Sequence, residues 1–264
     1  MSILDTIVAR KQREVANARE RLPANVLQSL AADAPPPRDF HGALRSSTRK
    51  PPRIIAEVKR AAPSKGVLRP NDEWRPEALA QSYERAGAAA LSVLTDVHYF
   101  WGQPDLLRFC RDATNLPALR KDFIIDPYQV DESRWLGADA ILLIVRALDD
   151  TTLHACAERA ADLGMAALVE IHADDELPRA LSVPNAIIGI NHRNLDTMTM
   201  DMQRAVRLRA QVPEERTLVA ESGLATASDL QPLLDAGIDA FLIGSALASR
   251  DDPEAALRNL QSDS

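Results

Sequence analysis

The chain has 264 residues, 46% of them apolar and 26% charged, which is ordinary for a globular protein with a sizeable core. Its 31 Lys and Arg stand against 38 Asp and Glu, a formal charge of −7 that argues against the basic face nucleic acid needs but leaves room for an anionic small ligand in a locally basic pocket. The longest apolar runs, such as residues 140–145, are far too short to span a bilayer, so no membrane role is expected.

In chain order, residues 1–21 read as an amphipathic helix, with Ile3, Leu4, Ile7 and Val8 apolar and many charges after them. The segment lacks the apolar stretch of a secretion signal, so a cytoplasmic location is expected. Residues 22–52 include Pro35-Pro36-Pro37, a stiff extended piece. Residues 1–52 are therefore read as an N-terminal extension of helices and loop, in which a helix could cover one barrel mouth, and 53–264 as the body of a single domain. Cys110 and Cys156 lie far apart with no metal-ligand spacing, which points to two buried thiols and no disulfide.

From residue 53 a pattern recurs: a helix-compatible stretch ends at a glycine and a short β-rich run follows. Gly87, Gly137, Gly164 and Gly237 precede the runs 89–94, 140–145, 166–171 and 240–243. Glycine suits the left-handed residue that closes a helix. Four further runs, 53–59, 118–121, 186–191 and 218–221, bring the total to eight strands. Strands alternating with helices imply a parallel sheet, and eight such units in this length predict a (β/α)8 TIM barrel, with an open doubly wound sheet as the alternative. There is no G-x-G-x-x-G after the first strand, which weakens a dinucleotide-binding version.

Active sites of barrels lie at the C-terminal ends of the strands. The expected strands end in Glu57 and Lys59, in Lys121, in Glu170, in Asn191 with Arg193 beyond it, in Glu221-Ser222-Gly223 and in Gly244-Ser245. Any one charged residue at a strand end is usually just solvated, and Glu57 and Lys59 would pair with each other in the bland reading. Five strands placing a charged or amide group toward one mouth is harder to dismiss. Glycine turns after the seventh and eighth strands commonly cradle phosphate through backbone N–H groups. The loop Arg60-Ala61-Ala62-Pro63-Ser64-Lys65-Gly66 is basic and reads as a lid over an anion or as a plain connection.

These residues resemble a known family. Residues 55–60 with Pro63-Ser64-Lys65-Gly66, the long run 119–129 beginning Leu119-Arg120-Lys121-Asp122-Phe123, then 168–172, 189–191, 193–195 and Glu221-Ser222-Gly223, follow the order found in indole-3-glycerol phosphate synthases. Ser92 to Asp96, with Tyr99, Phe100 and Gly102, also matches. The resemblance runs from about residue 3 to 250. It implies ring closure, decarboxylation and dehydration of 1-(2-carboxyphenylamino)-1-deoxyribulose 5-phosphate in tryptophan biosynthesis. It implies no metal and no organic cofactor, and a small phosphorylated molecule as the partner of a monomer or weak homo-oligomer. In that reading Lys121 is the general acid, Glu170 the base, and Lys59 holds the anthranilate carboxylate, with the division of steps between the lysines left open. Glu57, Asn191 and Glu221 orient substrate hydroxyls and the lysines. Ser64, Arg193, Ser222, Gly223, Gly244 and Ser245 bind the phosphate end, and Phe100 lines an aromatic pocket.

The chain departs from the family pattern in places. Ala62 stands where Ser is common, a loss of ~0.5–1.5 kcal/mol if that hydroxyl met phosphate. His192 replaces an Asn, and alternation points it away from Asn191 and Arg193 toward a packing or surface role. Trp101, Trp135 and Thr197-Met198-Thr199-Met200 are also unusual. These changes admit a paralogue acting on a modified anthranilate. A related phosphate-binding barrel isomerase and a non-catalytic binding protein are the other rivals; Lys121 and Glu170 together favour the synthase.

Overall fold

The computed structural model describes residues 2–45, 51–62, 66–70, 72–195 and 197–262. Eight strands form the barrel: β1 (Arg53–Val58), β2 (Ala90–Leu94), β3 (Ala118–Lys121), β4 (Ala140–Ile144), β5 (Ala166–Ile171), β6 (Ile187–Asn191), β7 (Leu218–Glu221) and β8 (Ala240–Ile243). All pair in parallel, each with its sequence neighbours, and β1 pairs β8 to close the ring, so the open-sheet alternative is excluded. Four strands have the expected bounds and four are one residue shorter. The run expected to reach Val145 stops at Ile144, where a single 3-10 turn, Val145–Ala147, begins.

These runs form strands because both faces find cover. β2 and β4 are buried at every position. Alternate residues Ile55, Leu119, Leu142, Leu168, Val219 and Leu242 fill the interior, while Ile54, Val93, Ile141, Val169, Ile188 and Phe241 meet the surrounding helices. Gly87, Gly137, Gly164 and Gly237 all have positive φ, between 72° and 96°, as a helix-closing residue requires. Cys110 and Cys156 are buried free thiols, both pushed up to about 12 by burial.

The first residues of the chain make three helices: α1 (Ile3–Arg21), α2 (Ala24–Ala32) and α3 (Phe40–Leu44). Phe40 and Leu44 of α3 join the interior cluster beside Ala90, Ala140 and Ala240, the first residues of their strands, so α3 stops the N-terminal mouth. α1 lies toward the opposite end. Its buried Lys11 reaches Asp96 at 3.0 Å and Asp122 at 2.8 Å, both just past the ends of β2 and β3. Among the described residues no helix is long and apolar enough to cross a membrane.

Candidate active site

The C-terminal ends of the strands bring most of the expected polar residues together. Ile55 and Glu57 share the inward face of β1, and Glu57 is buried at 3% exposure with its Oε1 against Lys59 Nζ. Lys121, the last residue of β3, donates from Nζ to Glu170 Oε2 at 2.6 Å and to Glu221 Oε2 at 2.8 Å. One ammonium thus links groups from β3, β5 and β7 across the mouth. Asn191 and Glu221 are register partners on β6 and β7, and Glu170 faces Gly189.

Two glycines make room for these carboxylates. A methyl group at Gly244 would lie 2.1 Å from Glu57 Oε1, and one at Gly189 would lie 2.5 Å from Glu221 Oε1. Gly244 therefore has a steric role in addition to its expected place in a phosphate turn. The turns after β7 and β8 are neighbours because Glu221 and Leu242 pair in register. Ser222 and Gly223 both have positive φ, 68° and 80°, so the chain turns sharply at this point. His192 is fully buried and, through Nδ1–H, donates to the Ser222 carbonyl at 3.0 Å, which settles its role as packing and not surface. Arg193 is half-buried; its backbone N–H donates to Asn191 Oδ1 at 3.0 Å. Ser245 opens the short helix Ser245–Ala248 and is half-buried. Ser64 lies outside the described residues.

The apolar side of the mouth has two rings. Phe100 and Phe123 stand 6.2 Å apart between centroids, and Lys59 Nζ lies 5.9 Å from the Phe100 ring. A cation beside an aromatic wall suits a ring that carries a carboxylate. Phe123 escaped the sequence reading, although it lies two residues after Lys121. His172 escaped it too: its Nε2 lies 2.5 Å from Glu170 Oε1. His172 follows Glu170 by two residues, just past the end of β5, and the strand's alternation carried one residue beyond Ile171 was the available signal.

Electrostatics divide the carboxylates. Burial alone would raise Glu170, but the Lys121 ammonium and the His172 imidazole outweigh it and hold the carboxyl well below its usual range. Burial and the neighbouring Glu170 push Glu221 well above its usual range, against the pull of Lys121. Burial would lower Lys121, yet Glu170 and Glu221 keep it an ammonium, raised above the usual lysine value. The site thus gathers two carboxyls shifted in opposite directions and an upward-shifted lysine in one hydrogen-bonded set. Environments that push like groups apart in this way mark acid–base chemistry.

Comparison with known proteins bears on the fold and the family. Among solved structures the chain is similar to a thiamine phosphate pyrophosphorylase from Pyrococcus furiosus, with a TM-score of 0.60 and 14% identity over 81% of this chain and 96% of that one. It is also similar to a structure described as native KDPGal, with a TM-score of 0.56 and 19% identity over 79% of this chain and 91% of that one. At these identities the likeness concerns the barrel alone. The model of the family described as indole-3-glycerol phosphate synthase matches residues 4–260, nearly the whole chain. With that match, the chain belongs to the indole-3-glycerol phosphate synthase family, carbon–carbon lyases of tryptophan biosynthesis that act on a phosphorylated substrate.

Proposed function

We propose that Lys121 is the general acid and Glu170 the general base of the synthase reaction on 1-(2-carboxyphenylamino)-1-deoxyribulose 5-phosphate. The observation that carries this assignment is the single Lys121 ammonium held at 2.6 Å by Glu170 and 2.8 Å by Glu221 at the C-terminal mouth. Lys121 gives a proton to the substrate's carbonyl oxygen as the ring carbon bearing the carboxylate attacks that carbonyl. The carboxylate then leaves as CO2 and its bonding electrons restore the aromatic ring. Dehydration follows: the new hydroxyl leaves as water with an acid's proton, and Glu170 takes the proton from the adjacent carbon. In this reading Lys59, steadied by Glu57, holds the anthranilate carboxylate, and Phe100 with Phe123 takes the ring. Asn191 and Glu221 orient the lysine and the substrate hydroxyls. The phosphate falls to Arg193, Ser222, Gly223, Gly244 and Ser245, with Ser64 from the first loop.

The same reading has the chain work as one barrel domain preceded by the 1–52 extension, in the cytoplasm, as a monomer or weak homo-oligomer. Two buried free thiols fit a reducing compartment. Turnover of the carboxyphenylamino substrate, followed by indole fluorescence, tests the assignment. Lys121→Ala should lower kcat by at least ~100-fold, the lower end of what a positioned acid contributes. A Lys121→Ala variant with near-parent kcat would remove Lys121 from the acid role.

A further inference from the structure

His172 lies behind Glu170 and is buried to 2% exposure. Its ring is held from both sides. Nδ1 lies 2.8 Å from the Arg193 carbonyl oxygen and Nε2 lies 2.5 Å from Glu170 Oε1. Its backbone N–H donates to Glu176 Oε2 at 2.7 Å, so the ring's attachment point is fixed as well.

The donor count of this arrangement is decisive. A carbonyl oxygen only accepts, so Nδ1 carries a proton and donates to Arg193. In a neutral imidazole Nε2 is then an acceptor, and an ionised Glu170 offers only acceptors toward it. Two acceptors do not stay 2.5 Å apart without a proton between them. The pair therefore exists as imidazolium with carboxylate or as neutral imidazole with carboxylic acid, and both forms hold one extra proton on the Oε1–Nε2 axis.

We propose that His172 is a positioning residue for Glu170: it holds Oε1 through a shared proton, leaves Oε2 as the only basic edge on the Lys121 side, and ties the base to the backbone of Arg193. The inference rests on Glu170 being the base. When Glu170 Oε2 takes the substrate's proton, the shared proton stays with the imidazole, and the pair leaves the step carrying two protons. The proton gained at Oε2 passes back across the 2.6 Å contact to Lys121, which gave one up in ring closure, and the shared proton stays on the Oε1–Nε2 axis. The link to Arg193 also couples the base to the segment assigned to the phosphate end, so substrate seated at one end fixes the carboxylate at the other. The other charged groups around the pair are Lys121 on β3, Glu221 on β7, Glu57 on β1, Arg193 after β6, and Glu176, which itself meets Arg146 at 3.4 Å.

Two substitutions separate the two contacts. His172→Gln places an N–H near the Nε2 position and can still donate to Glu170. His172→Asn places one near the Nδ1 position and reaches Arg193 only. Neither can carry a charge. The acid limb of kcat/KM should move up by about one pH unit in both, because the carboxylate loses a cationic neighbour. kcat should fall by about tenfold or more in Asn and by less in Gln, with KM within about threefold, a fraction of what a positioned base contributes. An unchanged acid limb, or equal kcat in all three proteins, overturns the proposal. Nitrogen NMR of histidine-labelled parent enzyme decides the matter even where a variant fails to fold. A shared, strongly deshielded proton on His172 that disappears in Glu170→Gln is the expected result, and an unprotonated Nε2 with no such signal overturns the idea. Glu170→Gln also separates the two assignments. If it keeps near-parent turnover, the base reading fails; if it is inactive while both His172 variants behave as parent, only the His172 inference fails.

Discussion

Gly189 stands opposite Glu170 in the β5–β6 register, and its missing side chain is what lets Glu221 approach Lys121. A methyl group there would meet Glu221 Oε1 at 2.5 Å and Leu168 Cδ1 at 3.2 Å. Gly189→Ala should therefore push the Glu221 carboxyl off Lys121 without touching the phosphate turns. kcat is expected to fall by ~10-fold, the equivalent of about 1.4 kcal/mol of misplacement, while KM changes little. Steady-state kinetics checks this, and a rise in KM at constant kcat would show that Gly189 serves binding instead. At this scale the sequence was legible where function follows from residue type and strand position. Lys121, Asn191 and Glu221 end their strands and Glu170 lies one residue before the end of its own, and all four were found that way. His172 and Phe123 were not, because their roles depend on which atom lies beside them. A histidine after a strand is a routine packing residue until Glu170 Oε1 is seen 2.5 Å away.

The elements were legible for a different reason. Parallel strands covered on both faces leave short apolar runs, and the glycine closing each helix marks where the next run begins. Lys59, Ala89, Val145 and Ala186, the four end residues misassigned, each adjoin a true strand and differ from it only in backbone hydrogen bonding. The N-terminal helices were harder to place, since helical periodicity says nothing about what a helix covers. α3 turns out to be the plug of the N-terminal mouth, with Phe40 at 1% and Leu44 at 0% exposure among the interior side chains. Phe40→Ala leaves a cavity at the closed end of the barrel, and a loss of about 3–5 kcal/mol of stability is expected from urea unfolding. Because the site lies at the other end, kcat well below the new melting temperature should stay near the parent value. A large fall in kcat there would mean that the two ends of the barrel are coupled through its interior.

Across the whole molecule, α1 ties the start of the chain to the C-terminal mouth of the barrel. Lys11 joins Asp96 and Asp122, and Arg120 joins Asp122 at 3.2 Å and Glu132 at 2.8 Å. Tyr128 adds one hydroxyl that lies between the Ala18 and Leu22 carbonyls, at 3.1 and 2.9 Å, and shares its proton with them. The net charge of −7 gave no hint of this network, since it counts charges without saying which are buried. Burial would raise Asp122, but Arg120 and Lys11 outweigh it and hold the carboxyl down to about 2, below its ordinary 3.8. A group depressed in the folded state stabilises it fully above the unfolded value, and that contribution is lost as pH falls from about 4 toward 2. Lys11→Met removes the cation shared by two buried aspartates and leaves Asp122 with Arg120 as its ionic partner. The expected cost at pH 7 is about 3–5 kcal/mol, as for other buried pairs broken on one side. At pH 3 the cost should be smaller, because Asp122, no longer held down by Lys11, takes up a proton more readily and sheds its charge. Denaturant unfolding of parent and variant at both pH values measures the difference directly. A cost that is the same at pH 3 and pH 7 would mean that Lys11 contributes through the packing of its aliphatic stem, and that α1 is held by its apolar face, by Tyr128 and by the Arg19–Asp126 pair.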